Sequence, residues 1–436
     1  MVGIGVLRRF TFGLVAACLA ATPAFAAIEE IRLPPSRHHG LDMIIVDEDA
    51  APVEPELAKT GADAPPETLG GAEADPATPV HPLYAELRGQ LERYRQSWGG
   101  LPQLLIGGEG PVAGPGDPRL GILRKRLALA RQGGFDKALR TRLVEFQKAH
   151  GLAPDGKAGA ATLAALNRGA AHYERLIQLN MERARRLPTA GKYLLVDAGA
   201  ARLWMYEDGK PVDSMKVVVG APATETPMLA AMIRYLSVNP YWNVPPELVR
   251  SLIAPRVLEQ GLTYLSDRRY QIFDGWGDDA ALLDPATVDW TAVASGDKEL
   301  RVRQLPGGGN SMGGVKFMMP NTYGIYLHDT PNKALFAEAE RWVSNGCVRV
   351  EDARRLAQWL HGELPAAASP DVEERVDLAT PVPVYITYFT VDPAAKTLAF
   401  RKDRYGRDAA VLARYPADTR MVDPDEAFRK AMSLGG

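Results

Sequence analysis

Two short stretches in the last third of this 436-residue chain decide its interpretation: "YLHDT" at residues 326–330 and "SNGCVRV" at residues 344–350. His328 precedes Cys347 by nineteen residues, and a single cysteine with a histidine elsewhere in the sequence is a candidate nucleophile and base. Gly346 allows a sharp turn beside the thiol, and Arg349 adds positive charge that favours a thiolate or an oxyanion. The alternative is a small buried thiol and an unrelated surface histidine, since cysteine is among the most buried residue types.

The N-terminus has the pattern of an export signal. Arg8 and Arg9 give a basic start, residues 10–21 form an apolar run, and Ala24 and Ala26 are the small residues of a cleavage site before Ala27. We therefore expect a signal peptide over residues 1–26 and a periplasmic product without a transmembrane segment. The alternative is a lipid anchor on Cys18, the only other cysteine.

Composition excludes several classes of function. The chain is 46% hydrophobic and 24% charged, which is typical of a folded protein with one or more cores. A formal charge of −2 gives no indication of nucleic-acid binding. None of the seven histidines pairs with another at the i, i+4 spacing of a helical zinc motif, and no Cys-x-x-Cys is present. We expect neither a metal nor a cofactor.

The chain divides into five predicted segments. After the signal, residues 27–81 are rich in Pro and Ala and predict a disordered tether. Residues 82–190 have helical periodicity and predict a scaffold, within which residues 120–170 suggest two helices joined by a tight turn at Asp155 and Gly156.

From residue 191 the pattern becomes that of short strands, so the predicted fold class is multidomain α+β, with a β-rich domain at 191–408. Residues 246–300 interrupt this domain and look helical and loop-like, which suits either a lid over a site or a passive excursion. Residues 409–436 form a charged, peripheral tail.

Several of these stretches carry a family resemblance. The run "FQKAHGLAPDGKAGAATLAALN" resembles a peptidoglycan-binding module, although the familiar Gly-Pro before the threonine is Ala160-Ala161 here. The histidine followed by Ser-x-Gly-Cys-x-Arg resembles the signature of L,D-transpeptidases. The segments at 239–245, 304–310, 315–317, 320–321 and 326–331 are similar to those of large periplasmic members with a helical scaffold. The resemblance covers about residues 82–408.

The resemblance implies a specific reaction and setting. Cys347 would attack the third residue of a peptidoglycan tetrapeptide stem, release D-alanine, and pass the acyl group to a neighbouring stem as a 3→3 cross-link. His328 would be general base and acid. The partners would be donor and acceptor stem peptides and glycan strands, and the role would be in cell-wall biogenesis or degradation and in cell shape. The alternatives are an L,D-carboxypeptidase or endopeptidase of the same fold, and a non-catalytic wall-binding protein.

The remaining site predictions concern the surroundings of the thiol. Amides near Gly346 and Cys347 are the expected oxyanion hole, and Arg349 would hold a substrate carboxylate, with a structural salt bridge as its alternative. Ser344 and Asn345 would shape the turn. Candidates for the walls of the pocket are Tyr326, Trp242 and Asn243. The group that orients His328 is left open between a backbone carbonyl and the neighbouring Asp329, as are the acceptor and the oligomeric state.

Overall fold

The computed structural model describes residues 44–45, 80–112, 114–277, 279–363, 369, 371–395 and 397–413, with only the backbone of Ile44 and Ile45. The predicted signal peptide with Cys18, nearly all of the predicted tether and residues 414–436 of the predicted tail lie outside the described residues. Within the described part of the chain, no helix combines the length and the apolar character needed to cross a bilayer.

The N-terminal half is helical, as the periodicity predicts. Its elements are α1 (Pro82–Tyr94), α2 (Leu120–Arg126), α3 (Lys137–Ala149), α4 (Ala160–Arg168) and α5 (Ala170–Arg185). Side chains cap two of these helices: His81 Nδ1 accepts from the Leu83 amide, and Asp136 accepts from the Leu139 amide. These contacts satisfy amides that have no partner inside a helix.

The tight turn predicted between α3 and α4 is organised by Gln147. Its Oε1 accepts from the Gly156 amide at 2.8 Å, and its Nε2 donates to Asp155 Oδ1 at 2.8 Å and to Thr162 Oγ1 at 3.0 Å. Gly156 has φ of +66°, which glycine adopts without the strain a side chain brings. One buried amide thus connects both helices to the turn.

The C-terminal half is a mixed sheet with a smaller sheet beside it. The strands are β1 (Ile44–Ile45), β2 (Lys192–Asp197), β3 (Arg202–Glu207), β4 (Lys210–Gly220), β5 (Leu229–Val238), β6 (Trp242–Val244), β7 (Tyr270–Phe273), β8 (Arg301–Gln304), β9 (Val315–Met318), β10 (Leu327–His328), β11 (Trp342–Ser344), β12 (Val348–Val350) and β13 (Glu374–Thr387). The order β5-β13-β2-β3-β4-β12-β10-β9 closes into a ring because β9 also pairs with β5. β1 and β11 add to β5 and β4.

One apolar core lies inside the ring of strands and a second lies outside it. The inner core is covered by α10 (Ala353–His361), whose Leu356 and Ala357 are fully buried. The other joins the five helices to the opposite face of β2 and β3 through Tyr193, Leu195 and Tyr206. The helical scaffold therefore packs on the outside of the ring of strands.

The insertion differs from its prediction as helical and loop-like. It contains four helices, α6 (Pro246–Leu248), α7 (Ala254–Gln260), α8 (Thr263–Asp267) and α9 (Trp290–Ser295), and also the strand β7. This strand belongs to a three-stranded sheet, β6-β8-β7, and the region has its own apolar core. β6 and β8 lie just outside the predicted bounds of 246–300. Strands of three or four residues carry little periodicity, and β6 pairs with β8 across more than fifty residues of chain.

A final helix, α11 (Arg407–Leu412), runs across the boundary predicted at residue 408. Val411 and Leu412 are buried. Asp408 pairs with the buried Arg183 of α5 at 2.8 Å. Residues 409–412, predicted as peripheral, are thus packed against the scaffold. This contact joins residues more than two hundred positions apart, which local periodicity does not reveal.

Candidate active site

The neighbouring strands β9, β10 and β12 have an apolar side that faces the core and a polar side that faces outward. In β9, β10 and β12, Phe317, Leu327 and Val348 point into the core of the ring. Side chains alternate along a strand, so the neighbouring residues face the other way. The register sets Lys316 opposite His328 and His328 opposite Arg349. A row of charged and titratable groups therefore lies on the outer face.

Tyr326 connects this row to the thiol. Its ring meets His328 edge-on with centroids 5.7 Å apart. The Tyr326 hydroxyl and backbone both act to lower the pKa of Cys347, and the charge of Cys347 in turn raises the pKa of Tyr326. The Val348 amide donates to the Tyr326 carbonyl at 3.1 Å, which keeps β10 and the start of β12 in register. The strands thus bring Tyr326, His328 and Cys347 together.

The turn before Cys347 is held by hydroxyl groups. Ser344 Oγ donates to the Cys347 carbonyl at 2.6 Å and accepts from the Gly346 amide at 3.2 Å. Thr226 Oγ1 donates to the Gly346 carbonyl at 2.7 Å. Gly346 has φ of +111°, where a Cβ would lie 3.2 Å from Ile325 Cδ1. Glycine at this position lets the chain turn directly into the nucleophile.

Burial sets the resting state of the thiol. Cys347 is partly buried, and its Sγ donates weakly to the Gly324 carbonyl at 3.8 Å. Desolvation raises the pKa of Cys347, while the hydrogen bonds from Tyr326 and the positive charges of Lys316 and Arg349 oppose that rise. The thiol is therefore protonated at neutral pH and needs a base to become a nucleophile.

His328 is a neutral imidazole in this environment. Burial, chiefly, and the nearby cations Arg349 and Lys316 lower the pKa of His328 to about 3, against the opposing effect of the Asp329 backbone and carboxylate. Its Nδ1 is buried without a hydrogen-bond partner among the described residues. A neutral, unpartnered ring nitrogen is free to accept a proton or to meet a ligand.

The structure bears on whether the Asp329 side chain orients His328. Its carboxylate accepts from the Gly314 amide at 2.9 Å and pairs with Lys333 Nζ at 2.5 Å. The side chain is thus engaged away from the imidazole. Arg349, for its part, forms no salt bridge with a described carboxylate, and its Nε is buried without a partner. Burial lowers the pKa of Arg349, and the charge of Cys347 raises it.

The remaining predicted residues fall in different places. Trp242 is buried in the core of the insertion, against which Tyr326 packs, and it lowers the pKa of Tyr326. Asn243 lies on the opposite, exposed face of β6, so the structure does not bring it to Tyr326. Asn345 is exposed at the turn. Of the three predicted wall residues, two meet at the site and one points to solvent.

Sequence reasoning missed two residues here. Lys316 is only 8% exposed, and burial lowers its pKa. A lysine between apolar residues in "VKF" is the signal that could have identified it, because alternation puts it on the face of His328. Thr226 offers no such signal, since its contact with Gly346 joins residues 120 positions apart. Among the described residues, no cluster of three or more His, Cys, Asp or Glu side chains could hold a metal ion.

Comparisons with known families match both halves of the chain. Residues 191–386 match a family described as an L,D-transpeptidase catalytic domain, and residues 119–166 match one described as a "Putative peptidoglycan binding domain". The first match contains Trp242, His328 and Cys347. The second covers α2 to α4 and the Gln147 turn.

One curated protein and two solved structures are also similar to parts of the chain. A "Putative L,D-transpeptidase" of Haemophilus influenzae is 31% identical over 245 residues, which are 54% of this chain and 48% of that protein. The match thus spans about half the length of this curated relative. An L,D-transpeptidase from Mycobacterium smegmatis is 13% identical with a TM-score of 0.24, covering 45% of this chain and 59% of that one. A catalytic domain from E. faecium, acylated by ertapenem, is 14% identical with a TM-score of 0.23, covering 46% of this chain and 99% of that one.

Proposed function

We propose that the protein is a periplasmic murein L,D-transpeptidase that forms 3→3 cross-links through Cys347, on the premise that residues 191–386 match the L,D-transpeptidase catalytic domain family. The observation that carries the proposal is the outer face of β10 and β12. There a protonated thiol, a neutral imidazole and unpaired positive charge meet beside one tyrosine. Such a set suits acyl transfer, which needs a nucleophile, a base and stabilisation of an oxyanion.

Acylation of the enzyme is the first half of the reaction. Cys347 Sγ attacks the carbonyl carbon at the L-centre of the third stem residue, and its proton passes to His328. The tetrahedral intermediate then collapses, the bond to the terminal D-alanine breaks, and His328 returns the proton to the leaving amine. The product is a thioester on Cys347.

The oxyanion of that intermediate needs donors that are not already used. The Gly346 amide donates to Ser344 Oγ, so the Cys347 amide is the backbone donor we assign, in place of the predicted pair. Arg349 supplies positive charge on the same face, consistent with a role in holding a substrate carboxylate or the oxyanion. A preorganised donor of this kind is typically worth about 3 kcal/mol in the transition state.

Transfer to the acceptor is the second half. The side-chain amine of a neighbouring stem attacks the thioester, His328 takes its proton, and the thiol is restored as the new amide forms. We assign the insertion as a lid over this step because Trp242 and its apolar core contact Tyr326 directly. A lid that excludes water favours the amine over hydrolysis.

The test uses the full mature protein and a Cys347→Ala variant, each incubated with disaccharide-tetrapeptide and analysed by mass spectrometry. We expect a cross-linked dimer that has lost one D-alanine with the wild type and none with the variant. Tripeptide alone would move the assignment to an L,D-carboxypeptidase. Cleavage of purified cross-linked dimers would indicate an endopeptidase. Sedimentation with cell wall without any turnover would leave a wall-binding protein.

A further inference from the structure

Lys316 is a buried cation in the centre of the outer face. It lies on β9 between Val315 and Phe317, which belong to the apolar core. Its register partner on β10 is His328, and its other partner, on β5, is Ser237. The side chain is 8% exposed, which is unusual for lysine.

No described carboxylate forms a salt bridge with this ammonium. Glu373 contributes an attractive charge from farther away, and its carboxylate accepts a hydrogen bond from Ser237 Oγ. The ammonium lies over the ring of Tyr326, whose centroid is 4.9 Å from Lys316 Nζ. Burying a charge is costly unless a partner compensates it. A cation–π contact offsets only part of that cost.

The thiolate of Cys347 would supply a partner anion during the reaction. Tyr326, whose ring carries the ammonium, also accepts at its carbonyl from the amide of Val348, the residue directly after Cys347, at 3.1 Å. The positive charge of Lys316 lowers the pKa of Cys347, and the charge of Cys347 in turn raises the pKa of Lys316. Arg349 acts on the same sulfur from β12. Two positive charges thus act on the thiol, one from β9 and one from β12, which are the two neighbours of β10.

We propose that Lys316 is a positioning residue whose ammonium, held over the Tyr326 ring, stabilises the thiolate form of Cys347 when the thiol gives up its proton. The inference rests on the proposed function for its purpose, but thiolate formation itself requires no peptide substrate. Lys316 neither donates nor accepts a proton in this role. The negative charge develops on Sγ as the S–H bond breaks, and it returns to Sγ when the thioester is cleaved.

The same fixed charge has a second consequence for the histidine. Lys316 and Arg349 both disfavour the imidazolium form of His328. They therefore oppose a resting thiolate–imidazolium pair by destabilising its positive member, while they support the thiolate alone. A neutral Lys316 side chain would change both tendencies, and the reactivity of the thiol at each pH reports their sum.

The experiment measures alkylation of Cys347 by iodoacetamide from pH 5 to 10, with the modified peptide quantified by mass spectrometry. The full mature protein is compared with Lys316→Met and Lys316→Arg. The titratable and charged groups around the thiol are Lys316 on β9, Tyr326 just before β10, His328 on β10 and Arg349 on β12. Glu373 acts electrostatically on Lys316, and Asp329 on His328.

We expect the methionine variant to shift the apparent pKa of the thiol upward by about one unit, which lowers the alkylation rate at pH 7 roughly tenfold. The arginine variant should recover most of the rate because it restores the charge. Lys192→Met is the matched control: its ammonium lies 4.3 Å from the ring centroid of Trp359, but on β2, separated from β12 by β3 and β4. That variant should match the wild type.

Identical pH profiles for the wild type and Lys316→Met would overturn the proposal, even if transpeptidation fell. Lys316→Gln replaces the methionine variant if the latter does not fold, with the same expected shift. Failure of the proposed function is distinguishable. A Lys316-dependent alkylation profile without cross-linking would retain this inference and reject 3→3 transfer, whereas cross-linking with an unchanged profile would do the reverse.

Discussion

His150 in the helical module and His328 in the catalytic domain have the same degree of burial but different surroundings. Burial is the main cause that lowers the pKa of each to about 3. His150 uses both ring nitrogens: Nδ1 donates to the Phe146 carbonyl at 2.7 Å, and Nε2 accepts from the Tyr94 hydroxyl at 3.2 Å. It also stacks on Phe146.

His328 lacks this saturation, since its buried Nδ1 has no partner among the described residues. The comparison shows that a shifted pKa alone does not identify a functional histidine. A buried ring with every nitrogen satisfied stabilises the fold. A buried ring with a free nitrogen beside a thiol costs stability and offers chemistry instead.

The largest expected effect is a separation of activity from stability. His328→Gln should lower the transpeptidation rate by about a thousandfold or more, because general acid–base catalysis supplies that order of acceleration. His150→Gln should leave the rate within about twofold at temperatures where the protein is folded. It should destabilise the fold by roughly 2–3 kcal/mol, through lost ring packing and hydrogen bonds.

Product formation by mass spectrometry and urea unfolding measure the two quantities on the same samples. If His150→Gln abolished turnover in a fully folded protein, the distinction between a structural and a chemical histidine would fail. Cys347→Ala serves as the reference for complete loss of activity.

The sequence predicted a role for His328 but no separate role for His150. The Cys347 motif and its histidine are close in the chain, so a short pattern was enough to select both. His150 was recognised only as part of a helical hairpin. The helices and most long strands also follow from periodicity, and the fold class of a helical scaffold with a β-rich catalytic domain is confirmed.

What the sequence could not supply is mainly non-local. The ring closes through β5 and β9, which are about eighty residues apart. Thr226 reaches Gly346 across 120 residues, and α11 reaches α5 across more than two hundred. Local periodicity carries no information on such pairings. The error on Asn243 has a different cause. Adjacent residues of a strand face opposite sides, so Asn243 and Trp242 cannot line the same wall.

Lowering the pH should reduce folding stability equally through His150 and His328, although only one of them is expected to act in the reaction. Both have folded-state pKa values near 3 and an unfolded value near 6.5. As pH falls below about 6.5 the unfolded chain takes up protons first, so stability is complete above that pH and is lost toward pH 3. At pH 5 each histidine accounts for about 2 kcal/mol of lost stability.

Urea unfolding between pH 4.5 and 6 measures this slope. His150→Gln and His328→Gln should each reduce it by about 1.4 kcal/mol per pH unit, which corresponds to one proton. A full wild-type slope in the His328 variant would mean that His328 is already charged in the folded protein.

The smallest expected effects come from the tyrosine that accompanies each histidine. Tyr94→Phe removes the hydroxyl that bonds His150 Nε2, and Tyr326→Phe removes the hydroxyl that lowers the pKa of Cys347. We expect Tyr94→Phe to cost about 1 kcal/mol of stability with unchanged turnover, since a single net hydrogen bond is worth that much. We expect Tyr326→Phe to lower the rate of thiol alkylation and of turnover about five- to tenfold, because the hydroxyl supports negative charge on sulfur. Each phenylalanine keeps the ring and its packing, so the hydroxyl alone is tested. Equal losses of stability and no loss of turnover in both variants would place Tyr326 with the packing residues. It would leave the cations as the only support for the thiolate.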